Sequence, residues 1–274
     1  MKYGVRTDIG KTREINEDSY IANGNMFAVA DGMGGHKAGE IASSLALKVL
    51  SKNINPEKDM KKNLSSSIRK ANKTVYRESL SDPKKYGMGT TLTVLIPKND
   101  KVYIGHIGDS RAYLLRNLEL TQLTEDHSLV AQMVKEGRLT TREAKLHPLR
   151  SVITQALGAK AITKPDIFTL SIKNGDKLLL ATDGVTSMLA DSEILKVIIQ
   201  DREPQTLCDL LVEAANKEGG SDNITVILIE FNKTDPVFHN TSSAKSKSSL
   251  VKTAFFSVFL MLLALISLYI ILRR

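Results

Sequence analysis

Short apolar, β-branched runs closed by Gly, Asp or Asn recur through the chain up to about residue 231. Phe27–Ala30, Thr90–Ile96, Val102–Ile107, Ala112–Leu115, Lys177–Ala181 and Ile224–Phe231 read as strands. Between them the apolar spacing changes to every fourth residue. Ile41, Leu45 and Val49, then Met60, Leu64 and Ile68, predict two long helices. A third helix is predicted from Asp191 and a fourth over Thr206–Lys217, closed by Gly219 and Gly220. The order is strands, two helices, strands, a polar and partly helical insertion over 127–150, then strands and helices again. That is not the strict alternation of a doubly wound sheet, and it predicts an α+β sandwich with helices outside. No internal repeat is evident, and Gly87–Thr91 lacks the lysine and spacing of a phosphate-binding loop.

The pattern changes near the C-terminus. Thr253–Leu272 is 20 residues without a charge, rich in Leu, Ile, Phe and Val. As a helix rising about 1.5 Å per residue it reaches about 30 Å, the thickness of a bilayer's hydrocarbon core. This predicts three parts: a globular domain over 1–235, a flexible Ser-, Thr- and Lys-containing linker over 236–252, and a transmembrane helix over 253–272. Lys245, Lys247 and Lys252 precede the span and Arg273 and Arg274 follow it, so charge does not fix its orientation. The N-terminus shows no apolar run behind its first charges, so no signal peptide is expected. The expectation is therefore a single-pass protein of the cell membrane with its globular domain in the cytoplasm.

The span also reinterprets the charge. The chain carries 38 basic and 30 acidic residues, a net of +8. Five of the basic residues and none of the acids lie beyond residue 240, which leaves 33 against 30, or +3, for the rest. No basic stripe interleaved with aromatics remains, so no nucleic-acid partner is expected. The single cysteine, Cys208, cannot form an intrachain disulfide, which suits a reducing compartment, and its apolar helical setting reads as core.

Candidate chemistry lies at strand ends. Asp31 follows an apolar strand and precedes Gly32; Asp109 follows Ile107-Gly108; Asp183 follows Leu178–Thr182 and precedes Gly184; Asp222 lies between a glycine pair and the strand opened by Ile224. A carboxylate beside a buried strand is costly unless a positive charge compensates it. Taken singly, each Asp-Gly is an ordinary turn. Four such sites in one domain point to a shared cation, and all-oxygen ligands favour Mg²⁺ or Mn²⁺ over zinc.

Six ordered motifs then carry a resemblance over residues 1 to about 231. They are Asp8-x-Gly10-x-x-Arg13-x-x-Asn16-Glu17-Asp18, Asp31-Gly32-Met33-Gly34-Gly35-His36, Gly89-Thr90-Thr91, Gly108-Asp109-Ser110-Arg111, Thr182-Asp183-Gly184 and Ser221-Asp222-Asn223. In this order they resemble the metal-dependent serine/threonine protein phosphatases of the 2C type, most closely the bacterial branch. The resemblance implies two stacked antiparallel sheets flanked by helices, with metals in a cleft at one end. It implies that Asp31 bridges two Mn²⁺ or Mg²⁺ ions. Asp183 and Asp222 would complete one shell, and the Gly32 carbonyl and waters held by Glu17 or Asp18 would serve the other. Asp109 matches the residue that helps hold a third, weaker ion, and Arg13 the arginine that grips the substrate phosphate. Arg13, Asp31 and Asp183 are thus the expected catalytic residues. Two metals about 3.5–4 Å apart can activate a water and neutralise the phosphoryl oxygens without a covalent intermediate.

One position departs from the pattern. Some eukaryotic relatives carry a proposed general-acid histidine two residues after the bridging aspartate, where this chain has Met33. The general acid stays open, with His36 and a water as alternatives. The insertion over 127–150 matches the flap of bacterial relatives, and both substrate selection and a plain solvated excursion remain readings of it. His106, His147 and His239 are assigned no chemistry. The expected activity is hydrolysis of phosphoserine and phosphothreonine on proteins, opposing a serine/threonine kinase at the membrane. An inactive, membrane-tethered phosphoprotein-binding module and a metal hydrolase of small phosphoesters are the alternatives.

Overall fold

A strand that is apolar at every position must bury both of its faces, and the architecture supplies a separate cover for each. The computed structural model describes residues 1–35 and 38–232. His36, His239, the linker expected over 236–252 and the span expected over 253–272 lie outside the described residues. Among the described residues no helix is long and apolar enough to cross a membrane.

The strands are β1 (Lys2–Asp8), β2 (Ser19–Ala22), β3 (Phe27–Ala30), β4 (Gly32–Met33), β5 (Gly89–Thr90), β6 (Leu92–Lys98), β7 (Lys101–Ile107), β8 (Arg111–Arg116), β9 (Glu119–Gln122), β10 (Asp166–Ser171), β11 (Lys177–Ala181) and β12 (Ile224–Glu230). The helices are α1 (Ala38–Asn53), α2 (Met60–Ser79), α3 (Leu129–Lys135), α4 (Thr141–Leu146), α5 (Asp183–Thr186), α6 (Asp191–Ile198) and α7 (Pro204–Lys217). One five-stranded sheet runs β1-β12-β11-β8-β9 and the other β10-β7-β6-β3-β2, with every pairing antiparallel.

Three apolar layers hold this sandwich together. Phe27, Val29, Leu178, Leu180, Ile227 and Ile229 pack between the sheets. Their strand neighbours point outward. Ala28 and Ala30 share a cluster with Ala42, Ala46 and Leu50 of α1 and Leu64 and Ile68 of α2, whereas Leu179, Val226 and Leu228 cluster with Leu207, Leu211 and Ala215 of α7. The α+β sandwich flanked by helices is therefore present.

Several sequence expectations need correction. The run Thr90–Ile96 is not one strand: Thr91 leaves the ladder, and its backbone N–H donates to the Asp31 carbonyl at 2.9 Å. The helix predicted from Ile41, Leu45 and Val49 exists, but its core face is Ala42, Ala46, Leu47 and Leu50, and Ile41 is 39% exposed. The helix lies so close to β4 that small residues fill the contact. The apolar pattern does not predict β1, β2, β9 and β10, and these four are the edges of the two sheets.

Candidate metal centre

Antiparallel pairing brings the ends of β1, β3, β7 and β11 and the starts of β8 and β12 to one end of the sandwich. The four aspartates predicted from strand ends all lie at that end. Asp31 follows β3, Asp109 lies in the turn from β7 to β8, Asp183 opens α5 after β11, and Asp222 precedes β12. Distant parts of the chain thereby share one electrostatic environment, with Asp31 crowded by Asp183, Asp18 and Asp109, and Asp183 by Asp222.

The carboxyl groups carry the mark of this crowding. Burial first, then the neighbouring charges of Asp183, Asp18 and Asp109, pushes Asp31 well above the usual carboxylate range. Burial and Asp222 raise Asp183, which is in hydrogen-bond contact with Asp31. Asp18 is raised to about 7 by burial, against the stabilising hydroxyls of Thr225 and Thr182. Asp109 is also raised to about 7, by burial and then by Asp183. Three oxygens here, Oδ1 of Asp18, Asp109 and Asp183, are buried without a hydrogen-bond partner. A buried acceptor left unpaired costs about 1–3 kcal/mol, and more when charged. Shared positive charge with its waters removes both the repulsion and the unpaired acceptors, so these residues fit Mg²⁺ or Mn²⁺. Among the described residues no group of three or more acidic, His or Cys side chains forms a closed ligand cage in the bare protein. Such a cage is not required, since these ions keep several waters and bind directly to one or two carboxylates.

The remaining predicted residues have distinct surroundings. Gly32 pairs with Thr90 in β4, its N–H donating to the Glu17 carbonyl at 3.2 Å. The Glu17 carboxylate accepts the backbone N–H groups of Gly39 and Glu40 at the start of α1, and burial raises its pKa. Asp18 Oδ2 accepts from Thr225 Oγ1 at 2.6 Å and Thr182 Oγ1 at 2.9 Å. Arg13 Nη2 donates to Asp222 Oδ2 at 2.8 Å, and its other nitrogens make no hydrogen bond to the described residues.

Sequence reasoning misses the groups that hold these side chains and loops in place. Thr91 Oγ1 accepts from the Asp31 N–H at 2.9 Å and meets Ser110 Oγ at 2.8 Å, while Thr90 Oγ1 donates to the Asp31 carbonyl at 2.8 Å. Asn223 Oδ1 accepts the Glu17 N–H at 2.8 Å, and its Nδ2 donates to the carbonyls of Ile9 and Ile15 at 3.0 Å each. It thus ties the loop bearing Arg13 to the start of β12. The motif Gly89-Thr90-Thr91 is the available signal, because two hydroxyls after a glycine at a strand start have something to hold. Gly184 marks another close approach. A Cβ there would lie 2.0 Å from the Asn223 carbonyl oxygen, so the segments bearing Asp183 and Asp222 touch through backbone. His106 is structural as expected: it is buried between Thr93 Oγ1 and the Glu125 carbonyl, and burial lowers its pKa to about 4.

Comparison with known proteins matches this geometry. The family model described as Protein phosphatase 2C matches residues 11–225. The serine/threonine protein phosphatase PstP of Mycobacterium tuberculosis is 38% identical over 244 residues, covering 86% of this chain but 47% of that protein, so the chain spans about half its length. Protein phosphatase PhpP of Streptococcus pneumoniae is 39% identical over 246 residues, covering 86% of this chain and 99% of that protein. The crystal structure of the PstP catalytic domain, in complex with two manganese ions, superposes with a TM-score of 0.77 at 37% identity, covering 83% of this chain and 96% of that one. With its full set of aspartates gathered at one end of the sandwich, the chain belongs to the protein phosphatase 2C family.

Proposed function

We infer that this chain is a Mn²⁺- or Mg²⁺-dependent protein serine/threonine phosphatase, hydrolysing phosphoserine and phosphothreonine on protein substrates. The observation that carries the reading is the convergence of Asp31, Asp183, Asp222, Asp109 and Asp18 from both sheets, with Arg13 at its rim. Bound there, two ions supply an activated water and neutralise the phosphoryl oxygens. The chain's own residues do the rest. Asp31, Asp183 and Asp222, with the Gly32 carbonyl, would hold those ions. Thr90 and Thr91 hold Asp31 in place, as Asn223 holds the Arg13 loop. Arg13, half exposed and already turned toward the carboxylates, offers a planar fork of donors for a phosphate. No nucleophilic side chain is needed, and burial pushes the Cys208 thiol up to about 12, which keeps it inert.

The reading extends to the chain's setting. The uncharged stretch 253–272 anchors the protein in the cell membrane, the linker 236–252 tethers the domain over 1–235 on the cytoplasmic side, and a serine/threonine kinase at that membrane supplies its substrates. The support is the length and apolarity of the stretch and, for the substrates, the name of the Mycobacterium tuberculosis relative as a serine/threonine protein phosphatase.

Two measurements check these statements. The purified chain is expected to release phosphate from a phosphothreonine peptide with Mn²⁺ and to stop on chelation. Phosphopeptide binding without phosphate release under any divalent metal would instead favour an inactive binding module. For the anchor, membrane fractionation of the full chain is compared with that of a chain ending at Asn240. The full chain is expected in the membrane fraction and the shortened one in the supernatant; equal distribution sinks the anchor.

A further inference from the structure

Asp109 is held by no strand: it lies in the turn between β7 and β8, which belong to different sheets. Its preceding residue, Gly108, has φ of +111°, and a Cβ there would meet Thr91 Cβ at 2.6 Å, so only glycine fits. A turn of this kind needs an external support, and the structure supplies one from the segment after β9. The His127 backbone N–H donates to the Gly108 carbonyl at 2.8 Å. The Gly108 N–H donates in turn to His127 Nδ1 at 3.2 Å. Both polar groups of the Gly108 residue are thus bonded to a single histidine. On the other side of Asp109, Arg111 is gripped by Asp126, with Nε and Nη2 donating at 2.9 and 2.7 Å. The consecutive pair Asp126-His127 therefore braces the Asp109 turn on both flanks.

The chemistry of His127 is fixed by its far end. Because Nδ1 accepts from Gly108, the ring proton sits on Nε2, which donates to Asp166 Oδ2 at 3.1 Å at the start of β10. The hydrogen bond made by one ring nitrogen selects the state of the other. The same residue opens the insertion over 127–150 and is tied to the segment that follows it, since the Thr154 N–H donates to the His127 carbonyl at 2.8 Å and Ser128 bridges to Ile153. The root of that insertion and the Gly108–Asp109 turn are therefore joined at one residue.

We propose that His127 is a positioning residue for the metal centre: with Asp166 selecting its tautomer, it holds the Gly108–Asp109 turn so that the Asp109 carboxylate meets the loosest-bound divalent cation, and it ties that turn to the root of the 127–150 insertion. This rests on reading Asp109 as an auxiliary ligand. Removing such an outer partner costs about 10–100-fold in metal affinity.

The test is Mn²⁺ binding to the purified full chain, followed by the electron paramagnetic resonance of free Mn²⁺, with melting temperature recorded alongside. Asparagine can place an oxygen where Nδ1 sits, whereas glutamine places its amide where Nε2 sits and leaves the Gly108 N–H without an acceptor. His127→Gln is expected to weaken the loosest Mn²⁺ step by about tenfold, with tighter binding unchanged, and His127→Asn to keep it within about twofold. Asp109→Ala is expected to abolish that step, and His127→Gln to add nothing in its background. An unchanged isotherm in His127→Gln overturns the positioning role, as does equal weakening in the Gln and Asn variants with a matching fall in melting temperature. If the His127 variants do not fold, Asp166→Ala, altered at a half-exposed side chain, is expected to weaken the same step, and an unchanged isotherm there overturns the role. A wild-type chain that binds no Mn²⁺ would sink the metal reading itself, and this proposal with it.

Discussion

Asp183→Asn is expected to reduce Mn²⁺-dependent turnover of a phosphothreonine peptide by at least about a thousandfold while raising the melting temperature of the metal-free protein at pH 8. The two effects have one cause. Asp183 is raised by burial and by the charge of Asp222, so in the absence of cations its ionised form strains the fold. The amide removes that charge and can donate to Asp31, with which Asp183 is in hydrogen-bond contact. With cations present, the same charge holds them. Losing roughly 4 kcal/mol of transition-state stabilisation corresponds to three powers of ten in rate. A residue that served only the fold would behave differently, with activity and stability falling together. That result, measured by phosphate release and by thermal melting, would remove Asp183 from the metal centre.

The metal-free protein is expected to lose stability as pH rises from about 4 to about 7, and Mn²⁺ to restore it most at the upper end. Asp18 and Asp109 each titrate near 7 in the fold, against about 3.9 in an unfolded chain. Between those values the folded state keeps protons that the unfolded state has released. The stabilisation is therefore complete below about pH 4 and lost as pH passes through 7. Divalent cation binding replaces those protons. At a free concentration of 100 times its Kd, one site adds about 2.7 kcal/mol, or about 5–10 °C for a domain of this size. Melting curves at pH 5 and pH 8, with and without Mn²⁺, check this. A metal-free melting temperature that rises across the window, or a Mn²⁺ shift that is larger at pH 5, contradicts it.

How much of this is legible in the sequence depends on where each residue sits. The strands buried on both faces, such as Phe27–Ala30 and Lys177–Ala181, are legible with their observed bounds, because a short unbroken apolar run closed by turn residues leaves no face for water. The four edge strands escape the pattern because an edge is partly exposed and carries a mixed sequence: β9 reads Glu-Leu-Thr-Gln and β10 opens on Asp166. Helix α1 is legible but rotated, since alanines rather than Ile41 face the core, and spacing alone cannot weigh a small residue against a large one.

The candidate site divides in the same way. Asp31, Asp109, Asp183 and Asp222 can be picked out because a charged residue abutting a buried strand contradicts its local surroundings, and that contradiction is visible in one dimension. Their convergence cannot be derived from spacing, because antiparallel pairing decides which strand ends share a face. Likewise Thr91, Asn223 and His127 are ordinary residues for their segments. Only folding gives each a task, by setting Thr91 against Asp31, Asn223 against Ile9 and Ile15, and His127 against Gly108. Local contrast along the chain is enough to pick out carboxylates that are energetically out of place beside buried strands and that call for a compensating charge. Which groups hold them follows only from folding, because hydrogen-bond partners are chosen by distance in space, and 209 positions of chain separate Arg13 from Asp222 at 2.8 Å.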